Sequence, residues 1–156
     1  MTEINRIVAA VAAMVAAPLA LSGCAASADE FEELVPPAVL ASDSHIVDTA
    51  MSFSNGLAGR GFSLRIYVTD TSDAAVAAAI DAAAEAAYHA SPSRPTSIYL
   101  DVAEPPRPER VNLGARGISL DGARELLWPD VVIINDVVHL ASGDLEKLYG
   151  PWGEAG

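Results

Sequence analysis

Residues 62–69 alternate without a break, with Phe62, Leu64, Ile66 and Val68 on one side and Ser63, Arg65, Tyr67 and Thr69 on the other. A period of two is what a strand with one buried face requires. The same pattern comes just before, where Val47, Thr49, Met51 and Phe53 point one way and Asp48, Ala50, Ser52 and Ser54 the other. Asn55-Gly56, then Gly59 and Gly61, supply a turn, so the two runs read as a hairpin. These glycines do not make a phosphate loop, which needs a Gly-Lys-Ser/Thr ending that leads into a helix. Here a strand follows. The period then changes. Asp70-Thr71-Ser72-Asp73 offers N-caps and an acidic first turn. As far as about Ala90, Val76, Ile80, Ala83 and Ala87 share one helical face, and Asp81, Glu85 and His89 the opposite one. Small alanines on the buried side let this helix lie close on a sheet. Pro92 and Pro95 end it, and residues 96–102 alternate again, with Ile98, Leu100 and Val102 inward and Ser97, Tyr99 and Asp101 outward. A right-handed crossover makes the second and third strands parallel.

The rest of the chain is punctuated by proline and glycine. Glu104-Pro105-Pro106-Arg107-Pro108-Glu109 reads as a stiff loop, its Pro-x-x-Pro spacing being also that of a polyproline ligand. Ser119 is an N-cap for a short helix to Leu127, weakened by Gly122 and stopped by Pro129. Val131-Val132-Ile133-Ile134, Asn135-Asp136 and Val137-Val138-His139-Leu140 read as a tight hairpin, with one continuous strand as the alternative. Residues 144–149 make a last helical turn closed by Gly150-Pro151, and Leu145, Leu148 and Trp152 are expected to seal the core. The fold class is α+β. A small mixed or antiparallel sheet has its helices packed mainly on one face, with the first strand between the second and third as in a split βαβ unit.

The N-terminal segment is of another kind. Residues 7–20 are an apolar run of fourteen, too short for a bilayer core of about 30 Å that takes roughly 20 residues to cross. Arg6 and the terminal amine precede it, offset by Glu3, and Pro18 breaks it, as suits a secretory leader. It ends in Leu21-Ser22-Gly23-Cys24, and Cys24 is the only cysteine of the chain. The four residues look like the lipobox of bacterial lipoproteins. Together with the strand-hairpin-helix order and the ending Leu145-Glu146-Lys147-Leu148-Tyr149-Gly150-Pro151-Trp152, the chain resembles small lipoproteins of actinobacteria. The resemblance implies a diacylglycerol on Cys24, which becomes the new N-terminus, and a place on the extracytoplasmic face of the cell membrane. It brings no catalytic residues. Two acyl chains, at about 0.8 kcal/mol per buried CH₂, hold firmly where one is marginal. With Cys24 lipidated no thiol remains for a disulfide or a cysteine metal site, so a hydrophobic core must stabilise the fold.

The chain then divides into a leader (1–23), the lipidated cysteine with an acidic tether (24–43) and one α+β domain (44–156). Asp29, Glu30, Glu32 and Glu33 in the tether would hold the domain off anionic lipid, and Pro36-Pro37 stiffens it. Phe31, Leu34 and Val35 would instead dock on the domain if its boundary lies earlier. The net charge of −12, which removal of the leader leaves unchanged, opposes nucleic acid and general adhesion to anionic lipid.

No catalytic residue, metal ligand or cofactor is assigned. Asp81, Glu85 and His89 share a helix face at i, i+4, i+8, and read as a solvated stripe rather than a metal site. No Gly-x-Ser-x-Gly elbow is present. With one helix of good length, the outward sheet face should stay partly open, which would expose Arg65, Tyr67 and Tyr99 as one cluster beside Asp48, Asp101, Ser52 and Ser63. Aromatics with a polar rim suit binding, although tyrosine also serves strands by β propensity alone. The expected function is a membrane-anchored binding module for an envelope protein or cell-wall component. The alternative is an envelope hydrolase, which needs at least two of His45, His139, Asp48 and Asp136 within hydrogen-bond reach.

Overall fold

The computed structural model describes residues 26–56 and 59–153; the leader and Cys24 lie outside the described residues. Strands β1 (Ile46–Gly56), β2 (Gly59–Val68), β3 (Ser97–Ala103), β4 (Val132–Ile134) and β5 (Val137–Ala141) form one mixed sheet in the order β1-β2-β3-β5-β4. β1 and β2 are an antiparallel hairpin. β2 lies parallel to β3, and β5 is antiparallel to both β3 and β4. Helix α2 (Asp73–Ala90) makes the crossover from β2 to β3. The α+β class is as the sequence indicates, but the split arrangement does not form. β2 pairs β1 along one edge over its full length, so β3 takes the other edge, and β1 is left outermost. The hairpin reading of residues 131–140 holds. Asn135 and Asp136 both have positive φ, 53° and 62°, the backbone of a two-residue turn whose twist matches the flanking strands.

Most of the described residues assigned to a tether form a helix, α1 (Ala28–Ser42), so the domain begins well before residue 44. Ser27 caps it. The Ser27 hydroxyl accepts from the Glu30 N–H at 3.3 Å, and the Ser27 N–H donates to the Glu30 carboxylate at 2.6 Å. Phe31, Val35 and Val39, four apart and so on one helix face, are fully buried, whereas Leu34 is exposed. Phe31 meets the rings of Phe53 and Phe62 at 4.8 and 5.7 Å. Pro36 and Pro37 lie inside the helix and withhold the two N–H groups that would bond to Glu32 and Glu33. Both of those residues are exposed, where water can serve their carbonyls. Burial of three large side chains outweighs that loss.

The core follows the alternation. Phe62, Leu64, Ile66 and Val68 of β2, with Ile98, Leu100 and Val102 of β3, meet Val76, Ile80, Ala83 and Ala87 of α2 and Leu145 of α3 (Ser142–Tyr149). In β1 a bulge between Ile46 and Asp48 resets the phase. Ile46 is buried and Val47, expected inside, is thrown out to 48 % exposure. Beyond it Thr49, Met51 and Phe53 keep to the core side. The short helix expected from Ser119 shrinks to one 3-10 turn, Ala123–Leu126. Trp152 does not seal the core; it is 36 % exposed and its indole donates to the Ser91 carbonyl at the end of α2.

Candidate binding surface

On the face opposite the helices, strand register sets the outward side chains in rows across the sheet. Asp48, Tyr67 and Ala103 make one row; Ala50, Arg65 and Asp101 the next; Ser52, Ser63, Tyr99, His139 and Val132 the third; Ser54, Gly61, Ser97 and Ala141 the last. In the first two rows Tyr67, Ala50, Arg65 and Asp101 are buried, though Asp48 stays partly exposed; the last two rows are open apart from Gly61.

The cover is residues 104–118, a strap that crosses the sheet after β3. Arg65 stands at its centre. The guanidinium binds the Asp101 carboxylate through Nε at 2.8 Å and through a second nitrogen, and it donates to the strap carbonyls of Asn112 (3.2 Å) and Ala115. Burial by itself would lower the Arg65 guanidinium, but its bonds and charge interaction with Asp101 outweigh that and hold it above the ordinary arginine value. For Asp101 burial pushes the carboxyl up by more than Arg65 pulls it down. The strap is hooked at two further points. Arg107 donates to the Thr49 carbonyl at 2.6 Å and reaches Asp48 at 3.3 Å. The Ile118 N–H donates to the Val102 carbonyl at 2.8 Å, just where β5 has ceased to pair with β3. Gly117 is required there, since a Cβ would stand 2.2 Å from the Val102 oxygen.

The exposed cluster expected of Arg65, Tyr67 and Tyr99 is therefore corrected. Arg65 is 6 % exposed and Tyr67 1 %, both under the strap, and the Tyr67 hydroxyl has no hydrogen-bond partner among the described residues. Alternation placed them on the outward face, as the sequence implies. A proline-rich loop then covered it, and nothing in periodicity reports that. Tyr99 alone of the three keeps a surface. Its partner is His139, directly opposite on β5, with the two rings edge to face at 4.9 Å and 85°. Sequence reasoning named His139 only as a candidate of the hydrolase alternative, because its pairing with Tyr99 exists only once β5 is known to adjoin β3. Burial lowers the His139 imidazole from its ordinary value, which favours the neutral ring at pH 7.

Tyr99 forms a ridge between two hollows. One, of about 360 Å³, is lined by Ser54, Asn55, Gly61, Thr96 and Ser97; the other, of about 250 Å³, by Ser97, Val132, His139, Ala141 and Asp144. Gly61 shapes the first, because a Cβ there would meet the Ser97 hydroxyl at 2.3 Å. Asp144, bound to the Ala141 N–H at 3.0 Å, is the one charged residue among these lining groups.

The other sequence candidates are dispersed. Asp48 is held by Arg107 and bonds the Thr49 N–H; Asp136 accepts from the Leu120 N–H and faces Arg116; His45 donates its N–H to Asp43; His139 meets Tyr99. No hydrogen bond joins any two of the four among the described residues. Within the helical stripe, Asp81 accepts from the Trp128 indole at 3.0 Å and the Tyr149 hydroxyl at 2.8 Å, fastening α2 to the C-terminal segments. Burial, then the bond to Asp81, raises the Tyr149 hydroxyl far above the ordinary tyrosine range. No group of three or more His, Cys, Asp or Glu placed to hold a metal occurs among the described residues. Nor is any described helix long and apolar enough to cross a membrane. Among known proteins, no family model matches the chain, and neither a curated protein nor a solved structure is similar enough to show a relationship.

Proposed function

We propose that this protein is an extracytoplasmic lipoprotein, anchored through Cys24, whose domain is a binding module for an envelope protein or a cell-wall component. The observation that carries the binding role is the open half of the sheet face. There Tyr99 and His139 stand among serines in two uncovered rows, with a hollow on either side of the tyrosine. Half-buried aromatics are good anchors, since they offer large contact area at small entropic cost. The surface is almost free of charge in a chain of net charge −12, which favours a ligand held by stacking and hydroxyl hydrogen bonds over one held by ion pairs. The anchoring part rests on Leu21-Ser22-Gly23-Cys24 after an apolar run.

The two parts are tested separately. Cys24→Ala should release the protein to the medium or arrest its maturation, read by membrane fractionation; full retention of the mutant in membranes sinks the anchor. In the full lipidated chain, Tyr99→Ala with His139→Ala should change stability by no more than about 1–2 kcal/mol, the size of a half-exposed aromatic pair. The same change should abolish recovery of cross-linked partners from intact cells. Undiminished recovery with normal melting sinks the binding surface.

A further inference from the structure

The anchor and the fold are almost contiguous. Ala26 already packs against the core, and Ser27 caps α1. Consecutive Cα atoms are 3.80 Å apart, so the Cα of Cys24 lies within about 8 Å of that of Ala26, and within about 11 Å of that of Ser27. No tether separates the lipid from the domain. With Cys24 acylated, the N-terminal end of α1 stands at the bilayer surface, and the packing of α1 decides what stands with it. Residues 43–45 reverse the chain, so α1 runs antiparallel to β1. Phe31, in the first turns of α1, meets Phe53 near the end of β1 and Phe62 near the start of β2. That end of the sheet also holds the start of β3, where the Thr96 N–H donates to the Arg60 carbonyl at 2.7 Å. The start of α3 is there too, the Ser142 N–H donating to the Thr96 carbonyl at 2.9 Å. The end of α2 completes it.

Resting on the reading of Cys24 as the lipid anchor, we infer that the domain stands on the bilayer by this end, with the end of β1, the starts of β2 and β3 and the end of α2 turned to the head groups. Trp152 agrees with this. It is a large exposed aromatic, bonded to Ser91 at the close of α2, and tryptophan is the side chain best suited to a membrane–water boundary. Asp29, Glu32 and Glu33 lie on α1 at the margin of the sheet where α1 packs on β1. The orientation also locates the candidate binding surface. The open rows are those nearest the bilayer end, and Tyr99 is level with Ser63, four residues or ~13 Å along β2 from its start. The strap lies on the far half. The ligand is thus met close to the membrane surface.

The test uses the full lipidated protein in vesicles whose head groups carry a nitroxide quencher. One fluorophore is attached at Asn55→Cys, at the proposed contact end, and in a second protein at Asp121→Cys, at the far end beside the start of α2. Cys24 is acylated and does not react. The Asn55 label should be quenched several-fold more than the Asp121 label, and about 20 Gly/Ser residues inserted between Ala25 and Ala26 should erase the difference. Ser142→Cys against Asn135→Cys is a second pair should the first disturb folding. Equal quenching, or stronger quenching at Asp121, in a protein whose mass shows the acyl chains overturns the orientation and leaves the anchor standing. A protein of unacylated mass that does not sediment with vesicles overturns the anchor, and the orientation with it.

Discussion

Tyr67 and Tyr99 stand on the same face of one sheet, on adjacent strands, and differ in what covers them. Tyr67 lies under the strap in rows that hold Arg65, Asp101 and Asp48. Tyr99 lies in rows of serine, glycine, alanine and histidine with no cover. Two charges, Arg65 and Asp101, are buried in the covered half, the reverse of what a solvent-facing sheet surface leads one to expect. Arg65 is the reason. It can be buried because Asp101 and two strap carbonyls satisfy its donors, and the strap can lie down because Arg65 satisfies those carbonyls, which would otherwise lose water without return. The open half has no such donor to hold a strap in place.

The strongest way to break this comparison is to remove the sheet beneath both halves. Leu100 lies between Tyr99 and Asp101 in sequence but faces the helices, and it is fully buried. Leu100→Asp should cost at least about 4 kcal/mol, from lost packing and an unpaired buried carboxylate, a large part of a domain's stability. Thermal melting checks this, and Ile66→Asp should behave alike. An unchanged midpoint for either means that the strand phase is wrong.

A smaller change separates the halves. Arg65→Met strands Asp101, which should cost about 3–5 kcal/mol, and frees the strap. Hydrogen exchange at the Ile118 N–H should accelerate much more than at the core amides of β2. Arg65→Met with Asp101→Leu should recover most of the melting temperature while the strap stays loose. Equal loss from the single and double variants would show that the ion pair is not what the strap depends on.

The smallest effect belongs to the open half. Burial lowers the His139 imidazole, so the folded protein takes that proton less readily than the unfolded chain. The contribution is fully present above the ordinary histidine value of about 6.5 and is lost as the pH falls through the lowered folded value. Melting temperature should decline between pH 7 and 5 slightly more for the native protein than for His139→Gln. Identical slopes would mean that the ring is freely solvated.

These contrasts also mark what the sequence carries. Alternation in residues 62–69 and 96–102 assigned every side chain to its correct face, because sheet pleating is a local property. The α2 stripe and the Asn135-Asp136 turn were legible for the same reason. Cover is not local. Arg65 and Tyr67 were placed on the right face and given the wrong environment, since the strap is held by backbone carbonyls that no residue type announces. α1 hid behind four acids and two prolines, although Phe31, Val35 and Val39 carry its period. His139 was named only for the hydrolase alternative, and its place beside Tyr99 could not be read until β5 was set beside β3.

Arg107 has a consequence apart from the strap it belongs to. β1 is an outermost strand of eleven residues, and long unpaired strand edges template the addition of further chains. At Thr49 both main-chain groups are occupied by side chains, the N–H by Asp48 and the carbonyl by Arg107. A second strand arriving there finds its register point taken and a charged group in the way. Arg107 and Asp48 thus block strand addition at this point of the β1 edge, a guard that would matter most if the proposed anchor gathers molecules in one plane.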